Sequence, residues 1–270
     1  METPTLEVCA LVAYDGTDYH GFQYQVGVPT IQGALEDALG AVALVEGRVA
    51  GAGRTDSGVH ARGQVVSILV RWRHPLDDLQ RAWNAHLPPD IGVRRLRLAP
   101  PGFHPRFSAK WRTYRYTVFE SDDCDENPPR TSPLTDRFAH YERQTLDVGA
   151  MSEAALCFLG RHDFATFGQP PQGENSVRQV IQADWQVVTT DLPGQDVFPG
   201  RCLVFTVTAN AFLRQMVRNM VEALLEVGRG RWGRCELQSA LEARSRACSP
   251  RPAPAQGLVL EYVEYPASMN

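Results

Sequence analysis

The stretch GAGRTDSGVHARGQVVSILV, Gly51 to Val70, holds one carboxylate, Asp56, two residues after Arg54 and two before Gly58. Four glycines in its first thirteen residues predict tight turns, since glycine enters the left-handed backbone region without steric cost. An aspartate in this setting has four chemical uses. It can cap a turn by accepting a nearby backbone N–H. It can ligate a metal, but only His60 could join it within the stretch, and a hard cation needs several convergent ligands. It can form half of an aspartic dyad, but that chemistry needs two carboxylates sharing a proton. The chain has no second Asp-Ser-Gly or Asp-Thr-Gly, and Asp15 is followed by Gly and then Thr. Last, an ionised carboxylate can attack a substrate as a nucleophile. If the segment is extended, Arg54 and Asp56 share a face, and the guanidinium favours the carboxylate form. The residues alone leave the turn cap and the nucleophile open.

The elements around the motif must position it. Residues 6–14 read as a strand running into a polar, aromatic loop, YDGTDYHGFQYQ. Residues 29–45 read as a helix, with Ile31, Leu35, Ala38, Leu39 and Val42 on one stripe. The motif follows, then a strand over 64–72, a helix over 74–87 with Pro75 near its first turn, and a strand over 92–99. RFSAKWRTYRYTVFE starts a second half with a strand rich in aromatic and basic residues. The acidic, proline-containing stretch 121–137 reads as a surface loop. A helix over 146–160, strands over 176–188 and 202–210 joined by a turn, a long amphipathic helix over 211–230, a short helix near 235–245 and an alternating strand over 257–265 complete the chain. Strands and helices mix without a strict repeat, so the expected class is α+β with mostly antiparallel sheet. The two halves, 1–107 and 108–270, have similar element order and are expected as two α/β subdomains flanked by helices, with a cleft between them.

Composition narrows the class. Hydrophobic residues make up 43% of the 270, enough for a sizeable core, and no run of about 18 apolar residues could span a bilayer. The start of the sequence lacks a basic segment before its apolar run, which argues against a secretory signal. Six scattered cysteines have no zinc-finger spacing, and reduced thiols in the cytosol are the expectation. The net charge of −4 hides a gradient. Residues 1–47 carry seven acids and no Lys or Arg, residues 48–115 thirteen bases against four acids, and residues 116–270 fourteen bases against twenty acids. A +9 middle third attracts polyanions if its arginines share a face. Lys110 is the only lysine, and arginine binds phosphates in planar, bidentate fashion. Arg62 and the RWRH of residues 71–74 read equally well as nucleic-acid backbone contacts and as ordinary surface.

GRTDSGVHA resembles the signature of the tRNA pseudouridine synthase A family. YDGTDYHGFQYQ, RFSAKWRTYRY, HDFATF, NAFLRQMVRNMVEALLEVGRGR and GLVLEYVEY resemble further blocks of that family in the same order, so the likeness runs over nearly the whole chain. It implies the pseudouridine synthase fold, no cofactor, no metal and a homodimer. The implied reaction is isomerisation of uridine to pseudouridine at positions about 38–40, in the anticodon stem-loop of tRNA, with the target base extruded from its stack. By the same resemblance Asp56 corresponds to the catalytic aspartate, and Arg54 would contact the flipped nucleotide or its phosphate. Tyr114, the first tyrosine of YRY, stacks on uracil. Arg218 is the basic partner of the aspartate, and Leu258 is an apolar wall. His60 reads as structural. Ser57 and Phe22 stand where the family often has Ala and Trp. A rival from another class is a non-catalytic RNA-binding module on the same scaffold. It would be expected to lack at least one of Asp56, Tyr114 and Arg218, and all three are present.

Overall fold

The computed structural model describes residues 4–121, 136–169, 175–188 and 200–269. The turn expected around 189–201 and most of the acidic loop at 121–137 fall outside them. The described chain is α+β with mostly antiparallel strand pairs, and it forms two compact units: Met1–Arg112 with Leu260–Asn270, and Thr113–Val259. The first unit therefore takes in the far end of the chain, so no single cut divides the two.

In the first unit, β1 (Thr5–Tyr14) lies between β3 (His60–Arg71) and β4 (Ile91–Leu98), antiparallel to both. Val8, Ala10, Val12 and Tyr14 alternate along β1 and are buried, the period-2 pattern of a strand with one face on a core. Two helices supply that core: α1 (Ile31–Gly40) and α2 (Leu76–His86). Thr30 caps α1 by accepting from the Gly33 N–H at 3.2 Å. Asp77 and Asp78 occupy the first turn of α2, where the helix dipole favours acids. Ile31, Leu35, Leu39, Leu79 and Trp83 are fully buried, each contributing roughly 1.5–3 kcal/mol. The Trp83 indole N–H donates to the Leu35 carbonyl at 3.0 Å, joining the helices.

One sequence expectation needs correction. The helix expected through residue 45 ends at Gly40, and β2 (Leu44–Gly51) follows. β2 pairs antiparallel with β3, Leu44 opposite Arg71 and Gly51 opposite Val66. The apolar residues of AVALV satisfy a helical stripe and a strand alike, and the edge of β3 decides between them by offering backbone partners. β3 itself starts at His60, four residues before the expected start.

In the second unit the strands run β5 (Trp111–Ser121, from Thr113 on), β9 (Gly200–Ala209), β8 (Val177–Val188) and β7 (Gly160–Asp163), with β7, β8 and β9 antiparallel. A short β6 (His140–Glu142) pairs parallel to β5. Neither β6 nor β7 is visible as a strand in the sequence. The helices are α3 (Val148–Ala155), α4 (Met216–Gly228) and α5 (Arg234–Ala243). α4 starts five residues later than its amphipathic pattern. Gln215 sits at φ 62, a left-handed residue that separates the helix from the chain before it. Ten residues of α4 are buried, which makes it the central helix of this unit. β10 (Leu258–Glu264) closes the chain, and its residues from Leu260 on pair with β3 in the first unit's sheet.

Candidate active site

Asp56 lies in neither a helix nor a strand. It opens a turn, with the Val59 N–H donating to the Asp56 carbonyl at 3.2 Å. Gly58 at φ +75 is the glycine this turn requires. Because neither residue lies in a strand, Arg54 and Asp56 share no strand face. Arg54 is exposed and Asp56 half-buried.

The turn is held from below by the loop after β1. The Phe22 N–H donates to the Thr55 carbonyl at 3.1 Å, and the Gly58 N–H donates to the Tyr19 carbonyl at 3.3 Å. The Ser57 hydroxyl also donates to the Tyr19 carbonyl, at 3.1 Å. Contact is close enough that a Cβ on Gly21 would lie 2.7 Å from the Thr55 carbonyl, and Gly21 is at φ +90. Ser57 thus ties its hydroxyl to the scaffold, and the ring of Phe22 lies among buried groups. Tyr14 and Thr55 share a hydroxyl–hydroxyl bond of 2.8 Å. Burial pushes the Tyr14 phenol up to about 12, so it is a fixed hydrogen-bonding group at neutral pH.

Two further residues fix the glycines before the motif. Gln64 is fully buried. Its carbonyl oxygen accepts from the N–H groups of Ala52 and Gly53 at 3.1 and 3.4 Å, and its amide donates to the Gly53 carbonyl at 2.7 Å. Arg112, also buried, donates to the carbonyls of Ala52, Arg106 and Ala109 at 3.2, 2.5 and 3.4 Å. The turn therefore has backbone partners on both sides of Asp56. His60 is buried, its Nδ1 accepting from the Gly16 N–H at 3.0 Å and lying 3.1 Å from a carboxylate oxygen of Asp15.

The other sequence-predicted residues belong to the second unit. Tyr114 is buried on β5, edge-on to Phe212 with ring centroids 5.1 Å apart. Phe212 lies just ahead of α4, which carries the half-buried Arg218 one turn in. The Arg218 Nε donates to the Ala253 carbonyl at 2.6 Å, and the Ala253 N–H donates back to the Arg218 carbonyl at 3.1 Å. One residue on, the Pro254 carbonyl accepts from the Tyr116 hydroxyl at 2.9 Å. Leu258 is buried at the start of β10. The segment 249–257 is thus a strap across β5 and α4. Within each unit the named residues sit on a connected framework: Arg54 and Asp56 on one turn, and Tyr114, Arg218 and Leu258 around α4 and the strap.

Sequence reasoning missed Gln64, Arg112 and Tyr116. Arg112, Tyr114 and Tyr116 are two residues apart on β5 and all buried. That period was available to find them once the strand was recognised. Among the described residues no group of three His, Cys, Asp or Glu is arranged to hold a metal ion.

Comparison with known proteins adds the chemistry. A family profile described as tRNA pseudouridine synthase matches residues 10–108 and 154–266. A protein of Chloroflexus aurantiacus named tRNA pseudouridine synthase A is 41% identical over 262 residues, covering 97% of this chain and 90% of the relative. One of the same name from Afipia carboxidovorans is 42% identical over 258 residues, covering 94% and 98%. A third, from Chlorobaculum tepidum, is 40% identical over 256 residues, covering 94% and 96%.

Proposed function

The chain belongs to the tRNA pseudouridine synthase family and is an isomerase, and from that premise we propose that it converts uridine to pseudouridine in the anticodon stem-loop of tRNA with Asp56 as nucleophile. The observation that carries the reading is the Asp56 turn. A half-buried carboxylate is presented on a loop whose backbone is pinned on every side, with an exposed arginine two residues away. Pinning of this kind is what a nucleophile needs, because misplacement by about 1 Å costs on the order of a hundredfold in rate.

The roles follow from chemistry. The target uridine leaves its stack to reach the enzyme. Arg54, exposed and with no side-chain partner among the described residues, binds the phosphate beside it in the bidentate manner open to a guanidinium. The N-terminal half brings Asp56. The C-terminal half brings Tyr114, whose ring stacks on uracil, Arg218, which partners the carboxylate, and Leu258, which walls the base. Asp56 attacks ribose C1′ or uracil C6. On either route the C1′–N1 bond breaks, the uracil turns, a C1′–C5 bond forms, and the proton on C5 is released. The enzyme works as a homodimer in the cytoplasm, and the +9 segment 48–115 faces the RNA. No helix among the described residues is long and apolar enough to cross a membrane.

The test uses an unmodified tRNA transcript carrying uridine tritiated at C5. The wild-type protein is expected to release tritium from the anticodon stem-loop, and Asp56→Asn to release none above background while still binding the transcript. Wild-type turnover by Asp56→Asn would remove the nucleophile. Release confined to other regions of the tRNA would remove the proposed substrate site.

A further inference from the structure

Away from these residues, one hollow in the second unit gathers reactive groups. α5 starts at Arg234, and the Glu236 carboxylate accepts from the Gly233 N–H at 2.9 Å to close its first turn. Cys235 and Ser239 are four residues apart, as are Glu236 and Ala240, so both pairs lie along one side of the helix. After Ala243 the chain reverses, with Arg244 at φ 49. Thr166 fixes the returning segment: the Ser245 N–H donates to its hydroxyl at 3.1 Å, and that hydroxyl donates to the Ala240 carbonyl at 2.7 Å. The Arg246 guanidinium adds a bond of 2.7 Å to the Thr166 carbonyl. The short turn Arg246–Cys248 is thereby laid back along α5. Between them is a hollow of about 410 Å³ lined by Trp232, Cys235, Glu236, Ser239, Ala240 and Cys248.

Both cysteines of this hollow are exposed. The other described cysteines differ. Cys9 and Cys202 are buried, and desolvation raises both thiols above the ordinary value, while Cys157 is partly covered. An accessible thiol is open to a dissolved oxidant, and a second accessible thiol on the same hollow can resolve the mixed disulfide formed on the first.

We propose that Cys235 and Cys248 form a reversible dithiol–disulfide pair, oxidised by a low-molecular-weight disulfide that enters this hollow. The thiolate of one cysteine attacks a sulfur of R–S–S–R, forming a mixed disulfide and expelling RS⁻. The thiolate of the other then attacks the protein sulfur of that mixed disulfide, forming the Cys235–Cys248 bond and expelling a second RS⁻. Two electrons pass from the protein to the small disulfide. It leaves as two thiols carrying the two protons that the cysteines gave up. The hollow falls within the roughly 300–1,000 Å³ range of small-molecule pockets, so a compound of that size can approach both sulfurs. Excess free thiol runs the same steps backwards.

The test treats the full-length protein with oxidised glutathione, quenches with acid, and reads intact mass and non-reduced tryptic peptides. Trypsin cuts after Arg234, Arg244 and Arg246, so the two cysteines fall on separate peptides unless bonded. The expected result is a mass loss of two hydrogens, a linked Cys235–Cys248 peptide pair, and full reversal by reduced glutathione. Cys235→Ser and Cys248→Ser should each keep one glutathione on the remaining thiol, since the resolving partner is gone. Stable glutathione adducts on both cysteines of the wild type without a linked peptide would overturn the pair. Oxidation falling on Cys157 while Cys235 and Cys248 stay reduced would also overturn it.

Discussion

At the scale of single residues, the proposed site separates groups that touch substrate from groups that hold those groups still. Tyr114 belongs to the first kind. Its buried ring is already braced edge-on by Phe212, so a flipped base would stack on a surface of fixed orientation. A base–aromatic stack contributes roughly 1–3 kcal/mol. Tyr114→Ala should therefore weaken tRNA affinity about tenfold and slow tritium release, whereas Tyr114→Phe should keep the affinity; equal affinities would argue against stacking. Gln64 is of the second kind. Gln64→Ala leaves the half-buried Gly53 N–H and carbonyl without their side-chain partner, which costs about 1–3 kcal/mol. The urea midpoint should fall accordingly and turnover should drop, because the Asp56 turn loses its anchor. Of these residues, Asp56, Arg54 and Tyr114 are proposed from motif and family resemblance, and the variants above test their roles. Gln64 was not legible in the sequence, since a glutamine in a strand carries no local signal that its amide will meet a turn eleven residues back.

At the scale of elements, ionic clusters tie the second unit together where apolar packing ends. Arg229, just past α4, donates to Glu142 on β6 at 3.0 Å and to Glu222 and Glu226 at 2.6 and 2.8 Å. Burial alone would lower the pKa of this guanidinium, but the carboxylates of Glu222 and Glu142 outweigh it and raise the value. Removing the cation leaves three carboxylates facing one another with little solvent. Arg229→Met should cost roughly 2–4 kcal/mol in urea unfolding. Adding Glu142→Gln and Glu222→Gln should recover part of the loss, and no recovery would mean that side-chain packing, not charge, is what Arg229 supplies. Most elements here were readable from period alone: α4 has a long apolar stripe, and β8 and β9 are rich in β-branched residues. The failures were short or doubly compatible segments. β6 and β7 have three and four residues, too few to show a period, and they exist because a neighbouring edge gives them backbone partners. AVALV fits both periods, so only the tertiary partner on β3 could settle it.

At the scale of the whole molecule, four tyrosines with raised phenol pKa values make stability depend on alkaline pH. Burial raises the phenols of Tyr14, Tyr19, Tyr116 and Tyr265 above the usual value of 10.0, Tyr14 to about 12. Their hydroxyls meet Thr55, Asp90, Pro254 and Pro105. Unfolded tyrosines lose their protons near pH 10, while these four keep theirs. Stability is therefore complete below pH 10 and falls as the pH rises toward 12, because the unfolded chain alone gains by ionising. Tyr14 contributes roughly 2–3 kcal/mol of the loss across that window. A urea midpoint that stays level from pH 9 to 12 would contradict this. The mixed α+β class was legible from the order of periodic segments. That Leu260–Asn270 joins the first unit was not, because strand pairing across some two hundred residues leaves no mark in local sequence. The strap of residues 249–257 has a consequence for which variants of this chain can exist. Pro250, Pro252 and Pro254 stiffen it, Ala253 is locked to Arg218, and β10 begins at Leu258. Its length is therefore a ruler: losing or gaining one residue between Ala253 and Leu258 would exchange the inward and outward faces of the last strand, so single-codon deletions there should be purged while substitutions at Arg251 pass.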